Sequence, residues 1–258
     1  MNPSHRHTYS SADARTRVLL DDAMMREILA DVGQMRTALE LELWASWILG
    51  QTWRQRTRQP LFSEVDWTLT VGAPMVAMIA HIGGARARKA LTAISMLERG
   101  PLGHYAGAIA LTLPGARTPA WMGDIADARF TRARIPDPPV ALDAADLIVL
   151  DLERGGRHEL SVAVLLDAVE EARVEEIQIC GPLPDGQDPD GAEPAAWSEV
   201  DLAAAATHIA RAIRVIDRDP RPRVNPQVAD LRAFLLARLL DAGAAADTVD
   251  ASSRLGSQ

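Results

Sequence analysis

One cysteine, Cys180, stands in 258 residues. A lone thiol closes no intramolecular disulfide and builds no cysteine-based zinc site. Lysine is as scarce. Lys89 is the only one, and arginine supplies the rest of the 27 basic side chains. With the abundance of alanine, this is the mark of a GC-rich genome, so arginine richness alone carries little functional weight. Aromatic residues make up 4% of the chain, so a core must come from Leu, Ile, Val, Ala and Met. No run approaches the ~18 consecutive apolar residues of a spanning helix. No apolar stretch follows the opening Met1–His7 as a signal peptide would require. A cytoplasmic protein with no membrane partner is expected. Glycine-rich phosphate loops, a Gly-x-Ser-x-Gly elbow and a His-Glu-x-x-His helix are all missing, and no cofactor is expected. Net charge is −8, which repels nucleic acid and anionic membranes unless a local patch overrides the total.

Hydrophobic residues make up 48% and charged residues 24%, ordinary for a globular chain long enough to bury a core. Residues 1–11 read as a disordered tail. His5 and His7 there lack a third metal ligand. Val18, Leu19, Met25, Ile28, Leu29 and Val32 recur at three- and four-residue spacings, which predicts a helix ending near Gly33. From Met35 to Trp53, Leu39, Leu43 and Trp47 form one apolar stripe and Leu41, Trp44 and Ile48 another. That predicts a helix buried on most of its surface. Trp44, Trp47 and Trp53 form either an aromatic pocket or, as is commoner, the centre of a helical layer. Further helices are expected from the Ser63–Asp66 cap, from Pro74 to Gly83–Gly84, from Ala85 to Arg99, and from Leu102 to Leu113. Residues 12–118 thus read as antiparallel helical hairpins.

Residues 119–241 change character. Leu147–Leu152 and Leu160–Leu166 are aliphatic runs around Gly155–Gly156, a hairpin signal. Ile177 and Ile179 extend it. Phe130–Ile135 alternates and reads as an edge strand whose arginines, Arg129, Arg132 and Arg134, guard its open side. The expected fold is α+β: an N-terminal helical layer, a four-stranded antiparallel meander and two C-terminal helices. Those helices are marked by Ser198–Asp201 and by Asn225–Pro226. Residues 182–196 read as a Pro/Gly/Asp linker. Asp185, Asp188 and Asp190 there do not match a calcium loop. Residues 242–258 read as a second disordered tail.

The segment Leu-Glu-Leu-Trp-Ala-Ser-Trp at 41–47, the strand Arg-His-Glu-Leu-Ser-Val-Ala-Val-Leu-Leu-Asp and the helix Asp-Leu-Arg-Ala-Phe-Leu-Leu-Ala-Arg-Leu occur in an order that resembles a group of uncharacterised actinobacterial proteins. The resemblance runs from Leu39 to Leu240 and implies no activity.

Site chemistry is sparse. His158 and Asp167 end one strand, ~30 Å apart at ~3.3 Å per residue, too far to act together. His158 can instead meet Asp151 or Glu153 across the hairpin, as a dispersed enzyme site of hydrolase type or as a cross-strand charge pair. His81 and His104 lie in apolar helices, and Cys180 reads as a small buried residue. No metal site is expected. Arg54, Arg56 and Arg58 form one basic cluster, and Arg86, Arg88 and Lys89 another. They either meet an anionic partner or cap helix ends. Non-enzymatic binding to another protein, through the helical layer or the sheet edge, is the expected function. An enzyme around His158 is the alternative, and nucleic-acid binding through the arginine clusters ranks last.

Overall fold

The computed structural model describes residues 22–57, 71–115, 119–137, 145–167, 172–183, 196–219 and 224–244. The expected first tail, residues 245–258 of the second, the Ser63–Asp66 cap, Arg58 and the aspartates at 185, 188 and 190 lie outside the described residues, whereas Ala242 and Ala244, expected in the second tail, close α8, with Ala244 buried.

Five helices form the first layer: α1 (Asp22–Val32), α2 (Ala38–Thr57), α3 (Ala73–Ile82), α4 (Gly84–Leu97) and α5 (Pro101–Thr112). Their ends follow local chemistry. Proline occupies the first turn of α3 and of α5, where its missing N–H is no loss. Thr37 and Glu40 make a reciprocal capping box at the start of α2. Glu40 donates its N–H to Thr37 Oγ1 at 3.2 Å, and its carboxylate accepts from Arg36 N at 2.7 Å and Thr37 N at 3.0 Å. These bonds hold the Glu40 carboxyl below its ordinary pKa. Between α3 and α4 the backbone turns through Gly83 and Gly84 at φ 71° and 80°, a region that side chains disfavour.

A 3-10 turn (Ala120–Gly123) and the four-residue α6 (Asp124–Asp127) lead into one sheet. Its strands are β1 (Arg129–Asp137), β2 (Ala145–Arg154), β3 (Arg157–Asp167), β4 (Arg173–Cys180) and β5 (Ala196–Val200). They lie in the order β4-β3-β2-β1-β5, each antiparallel to its neighbour. Gly155 and Gly156, at φ 58° and 74°, make the β2–β3 turn, as two-residue hairpins require. Two helices close the chain, α7 (Leu202–Arg218) and α8 (Pro226–Asp241). Asn225 caps α8 by accepting from Gln227 N at 3.0 Å.

The sheet corrects the expectation in two respects. It has five strands, and the Ala133–Ile135 part of the expected edge strand is not an edge, because β5 pairs along β1 from Ala133↔Val200 to Asp137↔Ala196. One of the arginines of β1 is engaged by the new strand: Arg132 Nε donates to Glu199 at 2.9 Å. The helix start expected at Ser198 moves accordingly. Ser198 is in β5, with its hydroxyl on Asp137 at 3.0 Å, and Asp201 is the N-cap, accepting from Ala204 N at 2.7 Å.

Two apolar cores meet along α2 and α8. On one side Ile148, Leu150 and Leu152 of β2 and Leu160, Val162, Val164 and Leu166 of β3 pack with α7, α8 and Trp53. On the other Leu41, Trp44 and Ile48 of α2 join α1, α3, α4 and α5, with Ala233 and Ala237 of α8. Gly50 permits the close approach. A Cβ there would stand 2.3 Å from the Ala229 carbonyl oxygen. Ser46 locks the seam, donating to Asp230 O at 2.7 Å and accepting from Phe234 N at 3.0 Å.

The two buried tryptophans differ in a testable way. Trp53 donates its indole N–H to Asp217 at 2.9 Å, whereas the buried indole nitrogen of Trp44 has no hydrogen-bond partner. Hydrogen bonds to charged groups contribute about 1.5–3 kcal/mol. Trp53→Phe should therefore cost about 2 kcal/mol more in urea unfolding than Trp44→Phe, which discards an unsatisfied donor. Equal losses would refute this assignment of the two rings.

Candidate functional site

The strongest concentration of polar side chains lies on the sheet face turned away from α7 and α8. Alternation along β2 and β3 sends Leu150, Leu152 and Val162 to the helices, and Val149, Asp151, Ser161 and Ala163 to the other side. Those four are buried as well, so both faces of the central strands are covered. Arg134 of β1 reaches the same place and is 1% exposed.

Asp151 is the hub. Arg134 Nη2 donates to its Oδ1 at 2.7 Å, and the Ser161 hydroxyl donates to the same oxygen at 2.7 Å. His158 Nε2 stands 3.1 Å from Ser161 Oγ, 3.1 Å from the Leu160 carbonyl oxygen and 3.5 Å from Asp151 Oδ1. Leu183 is gripped at both backbone groups, its N–H on Ser161 Oγ at 3.3 Å and its carbonyl under Arg134 Nη2 at 3.4 Å. Trp197 of β5 lies against the Arg134 guanidinium, 5.6 Å from ring centre to Cζ.

The arrangement contains serine, histidine and aspartate but not in nucleophilic order. A catalytic serine gives its proton to histidine, which the aspartate orients from the far nitrogen. Here Ser161 gives its proton to Asp151 directly. With the Ser161 hydroxyl directed to Asp151, both Ser161 Oγ and the Leu160 carbonyl present acceptors to Nε2, which suits the tautomer with hydrogen on that nitrogen and not a base toward Ser161. Ser161 is also fully buried. This chemistry holds things in place. It neutralises a buried arginine and fixes the chain leaving β4 as it passes toward β5.

The remaining residues expected to act are dispersed. Glu153 pairs with His158 in the β2–β3 register, but the polar contacts of His158 go to Leu160, Ser161 and Asp151. With Arg129, its partner across the β1–β2 ladder, Glu153 lines an open cleft of about 380 Å³ beside the Gly155–Gly156 turn, together with Asp127 and Asp241. Arg54 spans from α2 to the start of α8, donating to Pro226 O at 2.6 Å and Asp230 at 2.5 Å. Burial raises the Asp230 pKa, and Arg54 works against that rise. The side chain of Arg56 lies outside the described residues. Lys89 turns inward, donating to Val32 O at 2.8 Å and Met35 O at 2.9 Å, with Trp121 under its ammonium at 4.5 Å. Loss of hydration lowers its pKa. Arg54 and Lys89 are therefore engaged in different internal contacts, which does not supply the common basic face that nucleic-acid binding requires. Among the described residues no three His, Cys, Asp or Glu side chains cluster closely enough to hold a metal ion, and no helix is long and apolar enough to cross a membrane.

Two features escaped the sequence reading. Glu42 is fully buried between Arg154 and Arg238. Its signal was present, since a helix apolar on two stripes leaves little room for a solvated side chain between them. The second is the outer face of α5. Its inner face is Leu102, Gly103, Ala106 and Ala110. Its outer face carries Tyr105 and Leu111, 42% and 80% exposed, the two exposed large hydrophobic residues among the described ones.

Comparison with protein-family models, with curated proteins and with solved structures gives no match to this chain.

Proposed function

We propose that the protein is a non-enzymatic binding protein that docks another protein on the outer face of α5. One observation carries this reading: α5 contains no Asp, Glu, Lys or Arg, and the helix presents Tyr105 and Leu111 to solvent. Exposed apolar side chains are common singly. Two large ones on one helix without Asp, Glu, Lys or Arg, about 120° apart around its axis with exposed Ala108 between them, make an oblique ridge suited to a helix or groove on a partner. The sheet edge at β1, the other surface considered for docking, is occupied by β5 over Ala133–Asp137. The polar cluster at Asp151 supports the non-enzymatic reading, because its hydroxyl is inaccessible and its histidine nitrogen faces two acceptors.

Leu111→Asp tests it. The side chain is exposed, so the fold should survive with a melting temperature within a few degrees of wild type. Any protein recovered from native extract by immobilised wild type and dependent on α5 should be lost with the variant, by tenfold or more if Leu111 is a central anchor worth about 1.4 kcal/mol or more. Recovery of the same proteins in the same amounts by both would defeat the reading.

A further inference from the structure

The helix α7 carries a second surface of opposite character. Its apolar face, Ala205, Ala206, Ile209, Ala210, Ala212, Ile213 and Ile216, lies on the sheet. At 100° per residue, His208, Arg211, Arg214 and Arg218 fall within about a third of the helix circumference on the other side. His208, Arg211 and Arg218 are exposed and Arg214 is half-buried. The only carboxylate within α7, Asp217, attracts Arg214 but makes its hydrogen bonds on the other flank of the helix. It accepts from Trp53 at 2.9 Å and from Arg232 Nε at 2.8 Å, and is tied to the seam with α8. Asp219, just beyond the helix, stands 3.6 Å from Arg173. The outer face of α7 is thus a cationic stripe on a chain whose net charge is −8.

The stripe is unfavourable for the free helix. Like charges three and four positions apart repel, and Arg218 together with burial lowers the pKa of Arg214. The helix dipole favours a cation only in the last turn, which accounts for Arg218 and not for Arg211. Asp217 offsets part of that repulsion at Arg214.

We infer that the outer face of α7 binds an acidic peptide segment of a partner protein, with Arg211 and Arg218 as its principal contacts. Seven residues of helix separate these two by about 10 Å. Carboxylates recurring every roughly 5–7 Å, as on one face of an acidic helix or strand, fall in step with the stripe. A peptide is favoured over nucleic acid because of range. Charge interactions are screened beyond about 8 Å at physiological ionic strength, so a short segment feels chiefly the local stripe. A duplex with a charge every ~1.7 Å runs past it along the acidic remainder of the surface. This surface is on the sheet side of the molecule and is independent of α5.

The experiment uses the full chain and two fluorescent probes of equal length, a glutamate-rich peptide and a single-stranded oligonucleotide. Binding is followed by fluorescence anisotropy at low and high salt. Wild type should bind the peptide more tightly than the oligonucleotide and lose affinity as salt rises. Arg211→Glu/Arg218→Glu should weaken peptide binding at least tenfold, and Arg211→Gln/Arg218→Gln should fall between. Leu111→Asp should bind the peptide as wild type does, which separates this surface from α5. Absent peptide binding by wild type, tighter binding of the oligonucleotide, or unchanged affinity in both double variants would each overturn the inference.

Discussion

Glu42→Ala should lower the free energy of unfolding by about 3–5 kcal/mol, the range found when one member of a buried ion pair is removed. Glu42 is 0% exposed on α2, and its two carboxylate oxygens receive Arg238 of α8 and Arg154 at the end of β2. Each arginine is bound further. Arg238 donates to Ile125 O at 2.7 Å and Ala128 O at 3.0 Å, and Arg154 donates to Glu159 at 2.8 Å and Asp124 O at 2.5 Å. One carboxylate therefore joins the helical layer, the closing helix, the hairpin and the turn before β1. Burial opposes the charge on Arg238, and Asp241, at 3.3 Å, offsets part of that cost. Removing Glu42 leaves two cations facing each other in a dry site. Urea unfolding followed by circular dichroism reads the loss. Glu42→Leu/Arg238→Met should recover much of it, because apolar groups of similar volume replace a buried ion pair at little net cost. A wild-type midpoint for Glu42→Ala would show that the carboxylate is hydrated.

The elements that local chemistry specifies were legible in the sequence. Pro74 and Asn225–Pro226 mark helix starts, and Gly83, Gly155 and Gly156 mark turns. The α+β class and the antiparallel meander follow from them. What was missed depends on contacts between distant residues. Ala196–Val200 is only five residues long and abuts a good cap, so its strand character comes from pairing with β1, some sixty positions earlier. Ser46 and Gly50, four apart on α2, look like weak positions in an apolar helix and are the groove that receives α8. Arg134 was read as a guard on an open edge. Once β5 covers that edge, the same residue becomes a buried cation that needs a counter-ion. Asp151 and His158 were legible as a cross-hairpin pair, whereas Ser161 between them read as one more strand residue.

Asp151→Ala should be the second large loss, again about 3–5 kcal/mol, because Arg134 is 1% exposed and Asp151 is its buried counter-ion. Ser161 would lose the acceptor of its hydroxyl at the same time, and the grip of Ser161 and Arg134 on Leu183 would weaken. Asp151→Asn should cost less, since an amide oxygen still accepts from Arg134 and Ser161 while lacking the charge. His158→Gln should cost about 1 kcal/mol or less, because a partly exposed side chain keeps access to water in its place. The ranking Asp151→Ala, then Asp151→Asn, then His158→Gln follows from a cluster built to hold a buried arginine. A catalytic cluster predicts something different: a serine that reacts. A fluorophosphonate probe should therefore leave Ser161 unlabelled in the folded protein, since its hydroxyl is both buried and donated to Asp151. Labelling at Ser161 that disappears in His158→Gln would make the histidine a base after all, and would turn this side of the sheet from a clamp into an active site.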